Sequence, residues 1–240
     1  NNNELMYTNE EKAECLNSYF ASISTIDEHA PVLPPMSIKT RNTLTSISIT
    51  ESEIEDIIFA LKVNKASGPD NISHKMLKGV VRTISKPLAM LFNRSLDESV
   101  FPDSWKLANV TPLFKKGDKS EPSNYRPVSL LSCVGKLLER IVFNYTYNFL
   151  INNNLIYKYQ SGFLPNHSTS FQLIDIYHHI CQTFDNNQYS CMVFCDISKA
   201  FDRVWHTGLL FKLKENGFDG HILNWIKSYL QFRKQKVIVC

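Results

Sequence analysis

The stretch Met192-Val-Phe-Cys-Asp196-Ile-Ser-Lys-Ala-Phe201-Asp202-Arg-Val-Trp-His206 decides how the rest of the chain is read. Its apolar start suits a buried strand, expected over Ser190–Ile197, and that strand runs straight into Asp196. A polar turn follows, then Phe201 and Asp202. A carboxylate where a core strand meets solvent suits Mg2+, a hard cation that is shared between one or two protein carboxylates and substrate phosphates. The turn after it offers backbone N–H groups to a phosphate chain. The alternative is that Asp196 only caps the helix that follows. The metal assignment requires Asp196 to be accessible and close to the hairpin around Tyr125-Arg126-Pro127.

That hairpin is the next signal outward. Ala108–Phe114 reads as a strand, Lys115–Asn124 as a polar turn and Tyr125–Leu131 as the returning strand. Side chains alternate along a strand, so either Lys115 or Lys116 shares a face with Arg126. Such a pair suits a polyphosphate, Arg as a fork and Lys as a point charge. A solvated turn explains the same residues. Gln160-Ser-Gly162-Phe163-Leu-Pro-Asn-His-Ser168-Thr169 forms a loop in which Gly162 beside an aromatic permits close approach of a nucleic-acid backbone. Equally, it is a surface loop with Ser168 or Thr169 as the cap of the next helix. Lys65-Ala-Ser-Gly68-Pro69-Asp70-Asn-Ile72 is at minimum a turn held by Pro69 and Asp70.

Between these segments the periodicity gives helices. They are expected over 9–25, from the capping box Thr50–Glu53 onward, over Ser73–Ile84, from Pro87 to Ser99, over Val134–Leu150 and Ser170–Phe184, and near 206–215 and 219–232. Residues 30–48, with Pro31, Pro34 and Pro35, read as a linker or arm. Residues 235–240 read as the start of a strand without a partner, leaving an open sheet edge. The first residue is Asn with no signal segment after it, and both ends look cut from a longer polypeptide.

Composition sets the outer bounds. The 240 residues are 43% hydrophobic and 20% charged, with 8 Gly and 10 Pro, which excludes fibrous and disordered classes. No apolar run has the roughly 18 residues a membrane helix needs. Net charge is only +3, but it is unevenly spread. Residues 1–30 hold one Lys against six acids; residues 106–140 hold seven bases against three acids; residues 227–236 hold four bases and no acid. A basic middle and end point to phosphate-bearing partners, a solvated surface being the other explanation. The six cysteines show no CxxC pair and no zinc spacing, so they read as reduced, buried thiols.

In order and spacing, these segments resemble the reverse transcriptase of non-LTR (LINE-like) retrotransposons, nearest the jockey/CR1-like branch. The resemblance runs through K-A-S-G-P-D-N-I (65–72), F-P-D-S-W-K with V-T-P-L-F-K-K-G-D (101–118), N-Y-R-P-V-S-L-L (124–131), Q-S-G-F (160–163) with H-S-T (167–169), and F-C-D-I-S-K-A-F-D-R-V-W-H (194–206). It covers roughly residues 50–240, and residues 9–25 resemble the short helix that precedes the polymerase domain.

The resemblance implies an α+β fold: the fingers and a partial palm of a right-hand polymerase, with an incomplete palm sheet and no thumb. Residues 1–49 would be an N-terminal extension and linker, 50–185 the fingers with the basic hairpin, and 186–240 the partial palm. It implies Asp196 as a catalytic Mg2+ ligand, with the Ile197 carbonyl completing one metal's shell. Ser198, Lys199 and Ala200 would cradle the triphosphate, and Phe201 would be the steric gate against ribonucleotides. Arg126 with Lys115 or Lys116 would hold the nucleotide's phosphates. Gln160, Gly162 and Phe163 would contact the template and nucleotide pocket, and Gly68 and Asp70 the RNA template. The implied partners are an RNA template, a DNA primer or target and deoxynucleoside triphosphates, without a membrane, in the nucleus or a cytoplasmic ribonucleoprotein. Leu164 departs from the Arg the family often has after Gly-Phe, which weakens the expectation of a template-phosphate contact there. The family's paired Asp-Asp motif does not occur before Cys240. Asp196 by itself cannot position two dications, so the 240-residue chain is expected to be inactive, either as a polymerase fragment or as a non-catalytic RNA-binding remnant.

Overall fold

The computed structural model describes residues 6–24, 33 and 35–239. Within them lie eight α-helices and one three-stranded sheet, an α+β arrangement. Two cores organise it. The larger is helical; the smaller joins the first helix to the sheet.

Helix α1 (Asn9–Ile23) starts at a capping box, where the Thr8 hydroxyl accepts from Glu11 N–H and the Glu11 carboxylate accepts from Thr8 N–H. Its buried residues, Leu16 and Phe20, are four apart and so lie on one face. That face covers Ala108, Val110 and Val237 of the sheet.

Helix α2 (Glu51–Ala60) begins at the expected Thr50–Glu53 capping box and buries Ile54 and Ile58. Two helices follow, with a boundary that differs from the sequence reading. Helix α3 (His74–Gly79) stops at Val80, and α4 (Val81–Asp97) starts six residues before Pro87. Pro87 therefore sits inside α4, where its ring nitrogen cannot donate to the carbonyl four residues back. The buried stripe Val81, Ser85, Ala89, Phe92 and Leu96 outweighs that loss.

The segment read as a linker is partly a packed arm. Leu44 forms a parallel bridge with Phe218, and Leu44 N–H donates to Gly217 O at 2.8 Å. Asn93 of α4 clasps the arm at Ile49, accepting from its N–H and donating to its C=O, both at 2.8 Å. Ile47 and Ile49 are buried in the helical core as a result. Pro31 and Pro34 lie outside the described residues.

The hairpin forms as expected. Strand β1 (Leu107–Phe114) pairs antiparallel with β2 (Tyr125–Leu130), Leu113 opposite Arg126 and Phe114 opposite Tyr125. Pro112 stands opposite Pro127. Lys115 N–H donates to Asn124 O at 2.9 Å, which fixes the alternation: the proline pair falls where N–H groups point out of the hairpin, so neither proline removes a rung.

The terminal strand is not an orphan. Strand β3 (Lys234–Val237) pairs parallel with β1, Leu107 opposite Lys234 and Val110 opposite Val237, giving the order β2-β1-β3. The sequence shows no partner because the partner lies more than 120 residues earlier. Helix α5 (Cys133–Asn152) supplies Leu137, Leu138 and Ile141 to the large core, and α8 (Gly220–Leu230) supplies Ile222 and Trp225. Trp225 Nε1 donates to Ser95 Oγ at 3.0 Å, so the ring is buried without an unmet donor.

The strand expected over Ser190–Ile197 does not form. Residues 190–197 are irregular and exposed, with Val193 81% and Phe194 83% accessible. An apolar run becomes a strand only when a neighbour completes its ladder, and no described residue pairs with it. Helix α6 (Thr169–Asp185), before that run, buries only Thr183. After the run, α7 (His206–Glu215) leads into α8 through Gly217, whose φ of +88° suits glycine. The cysteines also depart from expectation. Cys133 is buried, Cys15 and Cys181 are half-buried, and Cys191 and Cys195 are exposed; all five are free thiols, and Cys240 lies outside the described residues.

Candidate nucleotide and nucleic-acid interface

Asp196 is exposed and has no hydrogen-bond or ion-pair partner among the described residues. It follows an irregular segment, so strand pairing does not hold it. The turn after it is built: Asp202 N–H and Arg203 N–H both donate to Lys199 O, at 3.0 and 3.1 Å. The N–H groups of Ser198, Lys199 and Ala200 donate to nothing among the described residues, which leaves them available to an anion. Lys199 holds φ +54°, a left-handed conformation costly for a side chain with a Cβ. Its Nζ donates to Tyr19 Oη at 2.9 Å and lies 4.8 Å above that ring's centre, so the turn is tied to α1.

The loop at 158–169 meets this turn. The Phe163 and Phe201 rings stand edge to face, centroids 5.6 Å apart, both largely exposed. Phe163 also holds a left-handed φ, +64°. Gln160 Nε2 donates to Gly162 O at 3.3 Å, closing the loop on itself. A Cβ on Gly162 would meet nothing within 4 Å, so the fold itself does not require glycine there. Ser168 caps α6, accepting from Phe171 N–H at 3.4 Å. Between this loop and α6 lies an open cleft of about 660 Å³ lined by Tyr159, His167, Phe171 and His179 among others. Sequence reasoning passed over Tyr159 and His179; the aromatic and His positions flanking the Gln160 motif were the available signal.

Gly68 has a structural duty. A Cβ there would overlap the Leu131 carbonyl and stand 2.6 Å from Ser132 N, so the 65–72 loop packs directly on the β2–α5 junction. Asp70 Oδ1 accepts from Ile72 N–H at 3.1 Å, the turn anticipated for Asp70. Ile72 packs against the helical core.

On the hairpin, Arg126 is exposed opposite Leu113. Lys115 has the same parity as Leu113 and shares Arg126's face, while Lys116 does not. That face points away from α1, which covers Ala108 and Val110. Lys199, by contrast, docks on α1. No hydrogen bond or ion pair among the described residues joins Asp196 to Lys115, Lys116 or Arg126. Of the two conditions set for Asp196, accessibility is met, whereas closeness to the hairpin finds no support in a contact.

A Mg2+ ion needs oxygen donors, and an unpartnered, accessible carboxylate at Asp196 beside the Ile197 carbonyl suits that demand in part. No group of three or more His, Cys, Asp or Glu side chains converges among the described residues. No described helix is long and apolar enough to cross a membrane.

Comparison with known proteins fixes the family. Residues 114–239 match the reverse transcriptase (RNA-dependent DNA polymerase) family. A probable RNA-directed DNA polymerase from transposon BS of Drosophila melanogaster is 33% identical over 98% of this chain and 27% of its own length. The RNA-directed DNA polymerase from mobile element jockey is 34% identical in Drosophila melanogaster, over 80% of this chain and 21% of its own length, and 30% identical in Drosophila funebris, over 96% and 26%. The chain thus spans about a quarter of the length of these relatives. With its match running from the hairpin through the Asp196 turn to β3, the chain belongs to the reverse transcriptase (RNA-dependent DNA polymerase) family.

Proposed function

We propose that this chain is the fingers (50–185) and part of the palm (186–240) of a non-LTR retrotransposon polymerase, preceded by an extension over 1–49. Within a longer polypeptide it copies RNA into DNA. The observation that carries this reading is the family match over 114–239, which contains Arg126, Gln160, Asp196 and Phe201 in one run. The edge-to-face contact of Phe163 with Phe201 supports it, because it brings the template loop to the nucleotide turn.

In the reaction, the primer 3′-hydroxyl attacks the α-phosphorus of a deoxynucleoside triphosphate and the bond to pyrophosphate breaks. Bound Mg2+ would supply charge neutralisation on the phosphates and a lowered pKa for the attacking hydroxyl. Asp196 and the Ile197 carbonyl are its proposed ligands. The free N–H groups of Ser198, Lys199 and Ala200 donate to phosphate oxygens, and Arg126 with Lys115, which shares its face, clamps the same triphosphate from the hairpin. Phe201 lies against the sugar 2′ position. Gln160, Gly162 and Phe163 face the template and nucleotide pocket, and Asp70 with Gly68 the RNA template. The activity belongs to the nucleus or a cytoplasmic ribonucleoprotein.

Primer extension on an RNA template by the longer polypeptide tests the reading. Deoxynucleotide addition is expected, and none from the 240-residue chain by itself, since two-metal transfer needs more than one carboxylate. Phe201→Ala is expected to admit ribonucleotides at the expense of deoxynucleotide preference. A variant as selective as the parent would remove Phe201 from the sugar pocket. A non-catalytic RNA-binding role draws on the cationic hairpin, and an active longer polypeptide would exclude it.

A further inference from the structure

The basic run at residues 227–236 has no part in the site above, yet the sheet places two of its lysines in register with the hairpin. Gln235 Nε2 donates to Asn17 Oδ1 of α1 at 3.2 Å, so Gln235 points to the covered face. Its neighbours Lys234 and Lys236 therefore project from the open face, and both are exposed. Lys236 aligns with Asn109 and Leu130, and Lys234 with Leu107. Arg126 and Lys115 share that face on the hairpin side. None of the three strands contains an acidic residue. Asp103, which precedes β1, is already engaged by Lys106 Nζ at 2.9 Å, and Lys234 also helps to hold its pKa low. Exposed Leu107, Leu113 and Val128 lie between the cations.

We infer that the open face of the sheet is a docking track for single-stranded RNA, on which Lys234 and Lys236 hold the sugar-phosphate backbone in continuation of Arg126. The occupant follows from charge complementarity and spacing. Alternate residues of one strand lie about 7 Å apart, close to the step between successive phosphates of an extended strand. The apolar side chains between the cations suit bases rather than a highly charged peptide. This inference rests on the RNA-templated reading above.

The test is RNA binding by the 240-residue chain across a salt series, with single-stranded DNA of the same sequence beside it. Lys234→Gln with Lys236→Gln is expected to weaken RNA binding and to reduce the log–log salt slope by about 1.4, two contacts at ~0.7 each. Lys75→Gln with Lys86→Gln removes the same charge from α3 and α4, and should leave the slope unchanged. Thermal melting of each variant confirms that it is folded; Lys236→Ala serves if the double variant is not. An unchanged slope in a folded β3 variant, while Arg126→Ala weakens binding, would overturn the track and leave the polymerase reading standing. Tighter binding of DNA than RNA through the same lysines would overturn the choice of RNA. Absence of any RNA binding by the parent chain would overturn the track, while primer extension by the longer polypeptide decides the polymerase reading separately.

Discussion

Two glycines in motif segments behave differently, although the sequence presents them alike. Gly68 is buried with the Leu131–Ser132 backbone against it, so Gly68→Ala should cost about 1–3 kcal/mol through forced backbone movement. Chemical denaturation reads this directly, and an unchanged midpoint would show that the loop yields without penalty. Gly162 faces open space. Gly162→Ala should hold stability within about 0.5 kcal/mol while weakening RNA-templated extension by the longer polypeptide, because only a ligand there needs the missing Cβ. Equal activity would mean that no backbone approaches. The sequence showed both glycines as loop residues; the partner of Gly68 is a junction more than 60 residues away, which no local pattern reveals. Left-handed Lys199 and Phe163 were equally hidden, since neither residue type signals positive φ.

At the scale of elements, the β1–β2 hairpin was legible because its pairing is local and its turn carries polar residues. The capping box at Thr50 and the Ser168 cap were legible for the same reason. The placement of β3 was not: parallel pairing across more than 120 residues leaves no local trace. The Ser190–Ile197 run shows the opposite failure, since apolarity specifies a strand only where a ladder awaits it. One helix pair carries a pH-sensitive contact. Glu139 of α5 is half-buried beside Tyr229 and Arg233, and burial pushes its carboxyl above the usual 4.5, with Arg233 and Lys136 opposing. Between 4.5 and that raised value the folded chain binds more protons than the unfolded one. This contribution to stability is present at low pH and is lost as pH rises through the window. Glu139→Gln should therefore flatten the decline in melting temperature as pH rises above 4.5. A variant whose profile parallels the parent's would remove Glu139 from the titration.

For the whole molecule, sequence order identified the family, while burial divides the chain into a packed and an exposed part. The large helical core, anchored by Phe92, Phe101, Leu138 and Trp225, is continuous and buried. The stretch from α6 to the Asp196 turn is not: Phe171, Tyr177, Phe194 and Phe201 are all exposed. The role proposed for Asp196 thus rests on residue order rather than on contacts among the described residues. The direct measurement is the rate of RNA-templated primer extension in Mg2+ by the longer polypeptide carrying Asp196→Asn, beside Asp202→Asn. Loss of about 10²-fold or more for Asp196→Asn, with Asp202→Asn extending near the parent rate, is the result this account predicts. Extension at the parent rate by Asp196→Asn would contradict it.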